Sequence, residues 1–166
     1  YGGNIKFTNG SANAVFPYIS SNYVSIILWL KMDVLSNYNQ QFAFGKVSDA
    51  TGSSAIYHHS SSTGHIYSGR TAATATRFEI NSFYNTTTPK MVALVYDNGV
   101  YKVYSNGVLI STKTIGGMVY STLEKLILGS SNTFNMKLGI VKVFNYPLSD
   151  SEISSEFNTN KARFGL

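Results

Sequence analysis

The chain has 166 residues, 43% of them apolar, with 12 Tyr and 10 Phe against one Trp, no Cys, and charged residues at only 13%. One hydrophobic core serves a chain of this length, so a single domain over residues 1–166 is expected, and the lack of Cys excludes disulfides, a thiolate metal site and a Cys nucleophile together. The apolar run Ile26 to Leu30 is far too short for a membrane span, and the formal charge of +5 comes from Lys and Arg scattered singly between Lys6 and Arg163, so neither a membrane nor nucleic acid is an expected partner.

Strand-like runs separated by turn residues then follow one another along the chain. The first is Asn4 to Thr8, broken by Asn9-Gly10, and the second Ala14 to Ile19. Val24 to Val34 is the longest. Ile26, Leu28, Leu30 and Met32 share one face of it and Ile27 and Trp29 the other, which predicts a central strand covered on both sides, with Trp29 as packing. Gln41 to Val47, Ser54 to Ser60, His65 to Arg70, Thr76 to Ser82 and Lys90 to Tyr96 continue the series. Asn98-Gly99 and Asn106-Gly107 each supply the two positive-φ positions of a type I′ hairpin, so Lys90 to Thr112 reads as a meander. Leu123 to Leu128 and Lys137 to Phe144 close the strand set. Leu28, Leu30, Leu94, Tyr104, Leu128 and Val143 are the expected core. One helix signal follows: Ser149 or Ser151 as N-cap, acids at Asp150 and Glu152, then Ile153 and Phe157 at i, i+4, giving two turns at most.

The order of these elements resembles the laminin-G-like, concanavalin A-like jelly-roll family of lectin and glucanase folds. Val24 to Lys31 is similar to that family's early strand with a central Trp, and Met91 to Asp97 followed by Tyr101 to Leu109 to its meander. Leu126-Ile127-Leu128-Gly129 and then Val141 to Ile153 resemble its ending, where the last strand runs into a short capping helix. The resemblance implies an all-β, two-sheet antiparallel jelly-roll sandwich with one short C-terminal helix. The tail Asn158 to Leu166 is similar to closing segments of such domains on bacteriophage and other virion surface proteins. One departure stands out: the acidic pair common before the final strand is replaced by Gly139 and Ile140.

Hydrolysis of a glycan needs two carboxylates across the bond, roughly 5 to 9 Å apart. The glucanase relatives carry them as Glu-x-Asp-x-x-Glu on one strand. The acids here, Asp33, Asp49, Glu79, Asp97, Glu124, Asp150, Glu152 and Glu156, show no such spacing, so no catalytic residue is assigned and the chain is read as no enzyme. No cofactor and no metal site is predicted either; turn carbonyls and Asn side chains around Asp49 and Asp97 are all that a calcium ion would find. The polar and aromatic cluster Tyr57-His58-His59, His65-Ile66-Tyr67 and Arg70 flanks the loop Ser61 to Gly64. If that loop closes a hairpin, Ser60 pairs with His65 and His58 with Tyr67, which puts His58, His65 and Tyr67 on one face as the candidate glycan site and Tyr57, His59, Ile66 and Arg70 on the other.

Two functions compete on these grounds: recognition of a cell-surface glycan for attachment, and a decoration domain docking to other virion subunits or to its own copies. Either places the chain on a virion or extracellular surface. The start at Tyr1-Gly2-Gly3 suits a piece cut from a longer precursor. EDTA is expected to leave the melting temperature essentially unchanged, and a rise of many degrees on adding calcium would refute the reading of the acids.

Overall fold

The computed structural model describes residues 5–8, 12–16, 23–35, 39–46, 56–60, 66–69, 77–114, 124–128 and 135–166, with side chains described for 23–35, 80–114 and 136–166. Twelve strands occupy the twelve predicted places: β1 (Ile5–Thr8), β2 (Ala12–Phe16), β3 (Tyr23–Met32), β4 (Asn39–Lys46), β5 (Ile56–Ser60), β6 (Ile66–Gly69), β7 (Arg77–Ile80), β8 (Lys90–Asp97), β9 (Val100–Ser105), β10 (Val108–Thr114), β11 (Glu124–Leu128) and β12 (Asn135–Phe144). They form two six-stranded antiparallel sheets, ordered β1-β12-β3-β8-β9-β10 and β2-β11-β4-β5-β6-β7. The architecture is the expected jelly roll. β3 is central in the first sheet, between β12 and β8.

Both Asn-Gly turns are two-residue hairpin loops, with φ of 42° and 92° at Asn98 and Gly99 and of 51° and 83° at Asn106 and Gly107. Those angles belong to the primed turns whose twist suits a hairpin. The second turn also bonds back to the sheet, since Asn106 N–H donates to Met91 O and Met91 N–H to Asn106 Oδ1, each at 2.9 Å.

The alternation along β3 sorts the first sheet into two cores. Ile26, Leu28, Leu30 and Met32 join Val92, Leu94, Tyr96, Tyr101, Val103, Met136 and Leu138 beneath Phe83 and Tyr84, which follow β7 of the second sheet. Lys90 closes this inner core at one end, its Nζ donating to Phe83 O and standing 4.3 Å from the Phe83 ring centroid. Burial lowers the Lys90 pKa. Ile27 and Trp29 face the other way, into a second core with Met91, Ala93, Val95, Tyr104, Leu148 and Ile153.

The second core needs a cover, and the C-terminal segment is it. Helix α1 (Asp150–Asn160) begins at a complete capping box, Ser149 accepting from Glu152 N–H while the Glu152 carboxylate accepts from Ser149 N–H. Hydrogen bonds donated by the Ser149 hydroxyl and the Ser149 N–H hold the Glu152 carboxyl below its ordinary pKa. The helix runs 11 residues, about three turns, not two, and a 3-10 turn (Lys161–Phe164) extends it. Asn158, Thr159 and Asn160 are weak helix formers and hide this from the sequence. What carries the helix on is packing: Phe157 and Phe164 both stack on Trp29, with ring centroids at 5.7 and 4.3 Å.

Expected core positions Leu28, Leu30, Leu94 and Tyr104 are fully buried. Leu128 lies outside the residues with described side chains. Val143 is a correction: near the C-terminal end of β12 it is only partly buried, packed against the rim of the inner core.

Truncating Leu28 to Ala should cost about 2–5 kcal/mol in a denaturant titration, and Val143 to Ala clearly less. Tyr104 and Tyr84 add a pH dependence. Burial raises both pKa values, aided at Tyr104 by its 2.7 Å bond to Asp150 and at Tyr84 by Tyr101. The unfolded chain therefore ionises first, near pH 10, so the melting temperature should hold between pH 7 and 9 and fall as pH rises above about 10. Tyr104→Phe should flatten part of that fall.

Candidate functional site

The register of the second sheet decides which of the predicted site residues meet. β5 and β6 pair as Tyr57↔Gly69, His58↔Ser68, His59↔Tyr67 and Ser60↔Ile66. This corrects the expected pairing of His58 with Tyr67 by one step, and a one-residue slip moves a strand's whole set of positions to the other face. Tyr67 shares its row with His59, and His58 takes the opposite parity with Ser68. His65 lies outside the described residues.

Ile80 shows which parity faces in. It packs against the inner core and pairs with Ile66, and the positions in phase with it across the sheet include Phe78, Ile56, Phe42, Phe44, Leu126 and Leu128. Such an apolar set on one parity is what holds a register. His58 falls in phase with this set. The other parity carries two transverse rows, Gln40–His59–Tyr67–Glu79 and Ile127–Ala43–Tyr57–Gly69–Arg77. Two Tyr, a His, a Glu, an Arg and a Gln thus occupy neighbouring positions of one face, beside small residues at Ala43 and Gly69. Neither Glu79 nor Arg77 was singled out from sequence as belonging with Tyr67. The signal was present in the alternation Phe42/Phe44 and Phe78/Ile80, which sets the parity of both flanking strands.

The acids with described side chains are engaged in holding the fold. Asp33 Oδ1 lies 3.7 Å from Lys31 Nζ and from Lys137 Nζ. Asp150 accepts from Tyr104 OH at 2.7 Å and stands 3.7 Å from Lys102. Glu152 completes the capping box, and Glu156 pairs with Lys142 at 2.7 Å. Asp97 opens the Asn98-Gly99 hairpin. Among the described residues no group of three His, Cys, Asp or Glu is placed to hold a metal ion, and no helix is long and apolar enough to cross a membrane.

Solved structures share this architecture at low identity. Trypanosoma rangeli sialidase superposes with a TM-score of 0.70 at 14% identity over 85% of this chain and 23% of its own. The botulinum neurotoxin serotype G binding domain gives 0.70 at 18% over 96% and 43%. The CBM40 of Ruminococcus gnavus IT-sialidase, solved with α2,3-sialyllactose bound, gives 0.65 at 15% over 83% and 84%. The chain therefore spans less than half of the first two proteins, and these likenesses show a shared fold. No curated protein sequence matches the chain. Residues 3–154 match the sequence profile of one family, and the chain accordingly belongs to the concanavalin A-like lectin/glucanases superfamily.

Proposed function

We propose that this domain is a non-catalytic glycan-binding module, and that its ligand lies on the outward parity of β4 to β7. The observation that carries the reading is the pair of transverse rows, which sets Tyr57, His59, Tyr67, Glu79 and Arg77 at adjacent positions of one sheet. Opposed and diagonal positions on one sheet face converge within reach of a single sugar ring. A Tyr ring stacks on a pyranose, and His, Glu and Arg groups exchange hydrogen bonds with its hydroxyls. The lectin side of the superfamily suits the chain better than the glucanase side, because its acids with described side chains serve a helix cap, ion pairs and a hairpin. The bound sialyllactose of the R. gnavus domain makes acidic glycans the first class to test. The net charge of +5 favours the same class.

Display on an extracellular surface fits such a module, and the resemblance of the tail to virion proteins supports a virion as that surface. A second reading, docking to other subunits or to a second copy, is favoured by one observation. β10 is a sheet edge that exposes Val108, Leu109 and Ile110 in succession. A glycan array and a sedimentation measurement separate the two readings. A monomer with array hits supports the first, and a stable oligomer with a silent array the second. Within the first, Tyr67→Ala should lower glycan affinity by roughly tenfold or more, the scale of a lost aromatic stack with its hydrogen bond, with little change in melting temperature. Unchanged affinity in Tyr67→Ala would remove the site from this face.

A further inference from the structure

A cleft lies on the other sheet, lined by Trp29, Leu30, Lys31, Pro89, Lys137, Gly139 and Phe164, with a volume of about 60 Å³. That is room for a few waters, and so for a carboxylate or sulfate group. Three features of its wall point to an anion.

Lys31 and Lys137 are directly opposed partners across β3 and β12. Like charges so placed repel and destabilise a sheet unless an anion lies between them. Asp33 offers only partial relief, one carboxylate shared by two ammonium groups, each contact at 3.7 Å and outside hydrogen-bond length. The wall thus keeps a surplus of one positive charge. Trp29, also on the wall, supplies the second feature: its Nε1–H and Asp33 Oδ2 are the two buried side-chain polar atoms without a hydrogen-bond partner among the described residues, a donor that an anion satisfies beside an acceptor that it does not. The third is the backbone. The β12–β3 register shifts between Leu138 and Ile140, so Gly139, which lines the cleft, sits in a bulge, a device that re-aims neighbouring side chains.

We infer that the Trp29, Lys31, Lys137 and Gly139 cleft is a subsite for a small oxyanion, the carboxylate or sulfate group of an acidic saccharide. The two ammonium groups provide charge and the indole N–H an uncharged donor. The site is independent of the β4 to β7 face and stands whether or not that face binds sugar.

Trp29 is the chain's only Trp, so one indole resonance and one fluorophore report on the cleft. The whole chain is titrated at constant ionic strength with sodium sulfate, with free sialic acid, with lactose and with sodium chloride. A saturable shift of the indole ¹H–¹⁵N resonance is expected with sulfate or sialic acid, and none with lactose or chloride. Saturation by only one of the two names the group the cleft takes. Lys31→Gln and Lys137→Gln should each weaken binding roughly tenfold, the scale of one charge-assisted hydrogen bond, and together abolish it. Each single variant should hold its melting temperature without added anion, because the like-charge pair is relieved while Asp33 keeps one lysine. A wild-type resonance that neither oxyanion shifts, or a shift retained in the double variant, would overturn the inference. Tyr67→Ala serves as the control: it should leave this titration unchanged, so failure of one site is read separately from failure of the other.

Discussion

Everything on the first sheet follows from the two-sided burial of β3. A strand with Leu28 on one face and Trp29 on the other is stable only if both faces are covered, and the second sheet can cover just one. The remaining cover is the C-terminal helix. Its position is set by few contacts. Ser25, fully buried, donates to Tyr146 O and accepts from Leu148 N–H, both at 2.8 Å, and so pins the crossover between β12 and the helix. Tyr104 reaches Asp150 in the first turn, and Lys142 reaches Glu156 further along. The close approach has a strict local requirement at Gly107, where a Cβ would meet the Phe157 Cβ at 2.9 Å. Gly107 is thus demanded twice, by the positive φ of its hairpin and by the helix lying against it.

The helix and 3-10 turn lie against the first sheet's outer face, with a cleft beside Phe164. In the second sheet, the parity in phase with Ile80 is the one that meets the inner core. The two proposed places differ in the residues brought to them: rows of Tyr, His, Glu and Arg positions on a pleated sheet in one, and an opposed lysine pair beside an unpartnered indole in the other.

The strands, the meander and the existence of a capping helix were legible in the amino-acid order because each is a local property. Period-two alternation marks Val24 to Met32, two Asn-Gly pairs mark the hairpins, and Ser149 with Glu152 marks the helix start. The concanavalin A-like fold followed from the order of those signals. The tertiary structure alone decided the rest. The pairing of His59, not His58, with Tyr67 depends on which parity of β5 and β6 the core takes up, and a loop sequence does not say how many of its residues lie outside the ladder. The helix continues past Asn158 because Trp29 is waiting for Phe157 and Phe164, a contact spanning more than a hundred residues. Lys31 and Lys137 are equally distant in sequence. Only the pairing of β3 with β12 makes them neighbours, since a chain's own order fixes its local geometry while opposition across a sheet is set by how the whole core packs.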